Sequence, residues 1–167
     1  MAESDPLSIS LNHDRWATTQ ILDACAKLTP EQFHRRFEVG PGSLHDTLVH
    51  MVSAMRTWND TLVGRENRPR PDGDSVKRSV EQIRGLFEEA FGELAHEARR
   101  GSLSAMATRT LRDGRTVTLT RGAIVMHVTT HEMHHRAQCL NMLRHVGVTP
   151  LPPSSVTEWA WVADASR

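Results

Sequence analysis

The chain has 167 residues, room for one domain with its own hydrophobic core. Its 20 basic and 20 acidic side chains cancel, which removes any electrostatic argument for nucleic acid or an anionic membrane as partner. No apolar run approaches the ~20 residues that span a bilayer.

The N-terminal segment Met1-Ala2-Glu3-Ser4-Asp5-Pro6 lacks the basic start and apolar stretch of a secretory signal. A cytoplasmic location is therefore expected. The two cysteines, Cys25 and Cys139, make no disulfide framework and read as buried, inert thiols. Ten histidines is a high count, and five of them fall between His127 and His145.

Four long segments carry helical periodicity without an internal repeat, so one domain over 1–167 is expected. The first runs from about Ser8 to Leu28, with Leu11, Trp16, Ile21, Leu22 and Cys25 as apolar positions. Thr29-Pro30 ends it, because proline removes a donor and disfavours helix at the residue before it. The second opens after Gly40-Pro41-Gly42 with Ser43 as N-cap and Asp46 three residues on, a capping-box-like arrangement. Leu44, Leu48, Met51, Met55, Trp58 and Leu62 then alternate steps of four and three, the spacing of a bundle seam. Gly64 and Asn67–Gly73 form a polar loop.

The third helix is expected from Ser75 to about Arg99, with Val80, Ile83, Leu86 or Phe87, Phe91 and Leu94 as its stripe. Thr108–Leu111 and Thr116–Leu119 flank Asp113-Gly114 and read as a small β-hairpin. The fourth helix starts at Thr120 and ends at Gly147. A short amphipathic piece from Ser155 to Ala163 carries Trp159 and Trp161. The expected fold is all-α: an antiparallel four-helix bundle, with the hairpin before the fourth long helix and a short C-terminal helix.

The fourth helix carries the chemistry. Its apolar stripe is Ile124 and Val128, then a gap, then Cys139, Met142 and Val146. His131 and His135 stand where the stripe should continue. Four residues apart, two imidazoles leave one helix face about a turn apart and can share a cation. His127 and His135 are about 12 Å apart along the axis and cannot. The pair is therefore His127/His131, or His131 with His134 or His135, and His131/His135 fits the stripe best. A lone core histidine more often satisfies a buried polar neighbour, but two on one seam point to a metal site.

A third ligand must come from another helix. His50, beside the seam residue Met51, is the best placed. His45 sits in a capping context and reads as exposed, and His145 suits the negative end of the helix dipole. Three neutral imidazoles with an open position suit Zn²⁺, and imidazole also suits Ni²⁺.

The run His127-Val128-Thr129-Thr130-His131-Glu132-Met133-His134-His135-Arg136-Ala137-Gln138 resembles the C-terminal motif of the DinB family of four-helix metalloproteins. Gly42–Met51 is similar to that family's second-helix motif, and Asp113-Gly114-Arg115 with Val117 to its hairpin. The resemblance covers essentially the whole chain in order. It implies His50, His131 and His135 as metal ligands and favours a homodimer. It also implies a metal-dependent enzyme that activates a low-molecular-weight thiol for S-transfer to an electrophile, with a small molecule as substrate. One departure is Ala137, where many members carry glycine; in a helix that change is locally favourable.

Two other classes fit some of the residues. A non-catalytic metal-binding stress-response bundle would keep the site without turnover. A zinc-dependent hydrolase would use His131-Glu132-x-x-His135 as a zincin motif, with Glu132 as general base and Glu158 as a conceivable third ligand. The longer metzincin pattern fails at Gln138 and Asn141, and no strand-rich substrate edge is foreseen.

Overall fold

The computed structural model describes residues 5–111 and 113–165, so Met1–Ser4 of the N-terminal reading lies outside the described residues. The protein is mostly helical, with one small antiparallel sheet. The elements run α1 (Pro6–Cys25), α2 (Pro30–Phe33), α3 (Leu44–Leu62), a 3₁₀ turn (Pro71–Gly73), α4 (Val80–Arg99), β1 (Met106–Thr110), β2 (Thr116–Thr120), α5 (Arg121–His145) and α6 (Val156–Ala165). No described helix is long and apolar enough to cross a membrane.

Each long helix starts where a side chain can satisfy the free N–H groups of its first turn. Asp5, Ser43 and Thr120 accept from Ser8, Asp46 and Ala123 at the heads of α1, α3 and α5. Helix α4 begins at Ser79, four residues later than Ser75. There Ser79 and Gln82 cap each other reciprocally, and Arg78 is held outside the helix by Asp74. Helix α2 has a reciprocal cap of its own from Thr29 and Gln32. At four residues it is too short to show a period, and the sequence reading passed over it.

Helix α3 lies against both α4 and α5, and α1 packs on α5 and α4. Leu44, Leu48, Met51 and Met55 of α3 meet Ile83, Phe87 and Leu94 of α4, Ile124, Val128 and Met142 of α5, and Leu11, Ile21 and Leu22 of α1 in one core. On α4 it is Phe87 rather than Leu86 that is buried. Trp58 is only partly buried at the edge of the α3 seam. Cys25 and Cys139 are both buried in the same core. Helix α6 rests on α1, with Trp161 71% exposed.

The strands pair from Met106 opposite Thr120 to Thr110 opposite Thr116. Gly114, at φ 83°, makes the tight turn between them. At the foot of the hairpin Arg121 donates to Leu62 O and Glu97 O, each at 2.7 Å. One guanidinium thus satisfies carbonyls near the C-terminal ends of α3 and α4 while opening α5.

The loop after α3 is pinned by a buried carboxylate. Asp60, 1% exposed, accepts from Arg65 Nε, Arg68 Nε and the Arg68 backbone N–H, each at 2.9 Å. Arg68 also forks onto Glu93 of α4. The chain leaves this knot through Pro69, Arg70 and Pro71 and enters the 3₁₀ turn beside α3.

Candidate metal centre

His50 of α3 and His131 and His135 of α5 come together. A ring nitrogen from each lies within 4.8 Å of the others, so the three could hold one metal ion. Their ring centroids are 4.4 to 5.4 Å apart. His131 Nε2 and His135 Nε2 face each other at 3.2 Å. Among the described residues no fourth histidine, cysteine or acid joins them.

Two of the rings are oriented from behind. His50 Nδ1–H donates to Asp72 Oδ2 at 3.0 Å, which leaves Nε2 free to turn toward the other rings. Asp72 is itself gripped by Arg70 through Nε at 2.8 Å and Nη2 at 2.6 Å, and its backbone N–H donates to Ser53 Oγ of α3. Burial raises the Asp72 carboxyl, but the hydrogen bonds from Arg70 and His50 outweigh it and bring it down to about 2. His135 Nδ1–H donates to Gln138 Oε1 at 2.8 Å, and the Gln138 amide donates to His134 Nε2 at 2.9 Å. His134 therefore supports the site one step back.

Burial lowers the pKa of all three imidazoles, with His135 reaching about 4. The like charges of neighbouring histidines and of Arg70 act in the same direction. Neutral imidazole is the form that binds a metal. The donor set is thus convergent, biased toward the neutral form and held in place at two of its three rings, and it fits a divalent cation.

The seam of α5 does not run as the stripe predicted. Its buried positions are Ile124, Val125, Val128, Thr129, Glu132, His135, Arg136, Cys139, Met142 and Leu143. The core line therefore passes through Glu132 and Arg136, at 0% and 2% exposure, while the His131 side chain, at 22%, sits on the flank facing α3. Arg136 forms an ion pair with Asp14 of α1 and donates to Thr18 Oγ1 at 3.2 Å. Burial pushes Asp14 up to about 7 and Glu132 up to about 8, with Arg136 opposing both. One guanidinium faces two buried carboxyls. Asp14 takes it, and burial shifts Glu132 toward its protonated form.

The other histidines sort differently from their sequence reading. His45 is buried rather than exposed. It accepts the Arg78 backbone N–H at 3.0 Å, and its Nδ1 donates to Asp46 at 2.9 Å. That contact helps hold Asp46, which pairs with Arg36 instead of closing a capping box. His127 packs edge-on to Trp58 at 4.9 Å, and the guanidinium of Arg109 of β1 lies over the same indole at 5.0 Å. His145 stacks near Phe37. Ala137 is exposed, so its departure from glycine disturbs no packing. Asp72 and Gln138 were missed by the sequence reading. Gln138 sits three residues past His135 on one helix face and could have been noticed, but Asp72 sits in a loop with no local signal.

A cleft of about 360 Å³ opens beside His50, lined by Arg36, Pro41, Asp46, Val49, Pro71 and Asp74 among others. Its acids are already paired: Asp46 with Arg36, Asp72 with Arg70 and Asp74 with Arg78.

A model of the DinB family matches residues 4–162, nearly the whole chain. No curated protein matches it.

Proposed function

The chain belongs to the DinB family, and from that premise we propose that His50, His131 and His135 hold a divalent metal ion, Zn²⁺ or Ni²⁺, in a metal-dependent S-transferase. The domain spans 1–167 as an antiparallel four-helix bundle of α1, α3, α4 and α5, works in the cytoplasm and pairs as a homodimer. The pairwise packing of those helices supports the bundle. The observation that carries the metal reading is the convergence of three neutral ring nitrogens within 4.8 Å. Closed structural zinc sites normally have four protein ligands, so three favour a site open to a small molecule.

When bound, such an ion acts as a Lewis acid that lowers the pKa of a thiol in its open position. The protein's own groups prepare that position. Asp72 and Gln138 fix two rings, and Arg70 keeps Asp72 ionised. The chain's own thiols are unsuited to attack. Burial pushes Cys25 up to about 12 and Cys139 well above its ordinary value. A thiol reaction at this site would therefore use the sulfur of a low-molecular-weight cosubstrate: the thiol gives up its proton to solvent, its sulfur bonds to the electrophilic carbon of the small molecule, and the leaving group on that carbon departs with the bonding electron pair.

The hydrolase reading needs Glu132 to act on a water. Glu132 is 0% exposed and has its carboxyl in the core line beside Arg136, away from solvent. That position does not suit a general base.

The test is a panel of low-molecular-weight thiols with monochlorobimane, using metal-loaded protein and His50→Ala as control. Conjugation with one thiol that is lost in the variant supports the transferase. Stoichiometric metal without conjugation by any thiol shifts the function to a non-catalytic metal-binding bundle.

A further inference from the structure

We infer that Glu132 is a positioning residue whose carboxyl accepts from His131 Nδ1 and so holds that ring with Nε2 turned to the metal. The inference rests on the three-histidine reading above.

An imidazole that binds a metal through one nitrogen almost always donates from the other to a carboxylate, carbonyl or water. The site follows that rule twice. His50 Nδ1 has Asp72 at 3.0 Å, and His135 Nδ1 has Gln138 at 2.8 Å. The third ring breaks it: His131 Nδ1 is buried and has no hydrogen-bond partner. On the opposite edge its Nε2 faces His135 Nε2, so Nδ1 is the edge left over.

Glu132 supplies what is missing. Its Oε1 lies 3.9 Å from His131 Nδ1, and both carboxyl oxygens are buried without a partner. Buried polar groups are nearly always hydrogen-bonded, and each orphan is costly. Here a donor and an acceptor, both orphaned, are neighbours about 0.7 Å beyond hydrogen-bond range. Closing that gap by rotation of the Glu132 side chain would satisfy both groups and leave His131 Nε2 where it is.

The carboxyl is backed by a fixed wall. Arg136 sits one turn further along α5 and is anchored to Asp14 and Thr18 of α1. Helix α1 therefore reaches the site through Asp14, Arg136 and Glu132, although it contributes no ligand. With no exposure, the carboxyl touches only its neighbours. Its effect is on ring orientation, not on substrate.

The experiment compares Co²⁺ and Zn²⁺ affinity, by chelator competition, in wild type, Glu132→Gln and Glu132→Leu. The amide of Glu132→Gln still offers an oxygen to Nδ1, and its affinity should stay within about threefold of wild type. Glu132→Leu fills the space without an acceptor and should lose about 10–100-fold, the usual cost of removing such a partner. The visible spectrum of bound Co²⁺ should change in Glu132→Leu and not in Glu132→Gln. Equal affinity and an unchanged spectrum in folded Glu132→Leu would overturn the inference.

If Glu132→Leu does not fold, ¹⁵N correlation spectra of zinc-loaded wild type decide. His131 metallated at Nε2 with a slowly exchanging Nδ1–H is expected. Metal on Nδ1, or a freely exchanging Nδ1–H, overturns it. Wild type that binds no metal refutes the three-histidine reading itself. Metal lost in His50→Ala but kept at full strength in Glu132→Leu refutes the role of Glu132 alone.

Discussion

Asp72 Oδ2 stands 3.0 Å from His50 Nδ1 across 22 residues of chain. The carboxylate fixes the tautomer and the direction of the ring, and Arg70 fixes the carboxylate. Asp72→Ala should weaken Zn²⁺ binding about 10–100-fold while leaving the helical fold intact, as measured by chelator competition and circular dichroism. Unchanged affinity would show that His50 needs no orienting partner.

The histidines of α5 should separate by role. His131→Ala and His135→Ala should each abolish stoichiometric metal in elemental analysis, as should His50→Ala. His127→Ala should not, because that ring is spent against Trp58. His134→Ala should retain the metal with weaker affinity, since its contact is to Gln138 and not to the site itself. Loss of metal in His127→Ala would move the site one turn toward the start of α5.

Burial sets the response of the metal-free protein to acid. His135 has its pKa lowered to about 4, from an ordinary value near 6.5. Between those values the unfolded chain binds the proton and the folded one does not. The contribution of this residue is thus full above about pH 6.5 and is lost as the pH falls toward 4. Glu132 acts with the opposite sign between about 4.5 and 8, because its raised pKa lets the folded state hold the proton. The clean readout is therefore a difference. The stability of His135→Asn relative to wild type, from urea melts of stripped protein, should rise as the pH drops from about 6.5 to 4. A flat difference would mean that His135 titrates normally.

Among the described residues, Arg136 is the cation set against two buried carboxyls, Asp14 and Glu132. Arg136→Met should cost on the order of 3–5 kcal/mol, because it leaves Asp14 buried and uncompensated. Asp14→Leu combined with Arg136→Met should recover most of that loss in the same urea titration. If the double variant is as unstable as the single, the packing of Arg136, and not its charge, is what matters.

Much of this was legible in the chain. Ser43 and the four–three spacing from Leu44 to Leu62 located α3, because capping and periodicity are local properties. The convergence of His50, His131 and His135 was legible because His131 and His135 are one turn apart and His50 adjoins a seam residue. The polar interior was not. Counting only apolar residues left a gap after Val128, and the histidines were placed in it. The buried line in fact continues through Glu132, His135 and Arg136, and Asp14 and Thr18 on α1 supply the partners of Arg136. The pairing of Arg136 with Asp14, 122 positions apart, leaves no trace in either helix alone. Asp72 was hidden for a similar reason, as its partner lies across a loop.

The knot at Asp60 gives that loop the character of a ruler. Residues 65 to 68 are clamped to the buried carboxylate, so only Pro69, Arg70 and Pro71 separate a fixed point from Asp72. Two of those three are prolines, whose locked φ leaves little slack. One residue spans at most ~3.3–3.6 Å, more than a hydrogen bond can absorb. A chain one residue shorter here would leave Asp72 short of His50, whereas extra length in the exposed stretch at 63 and 64 would fall outside the measured interval.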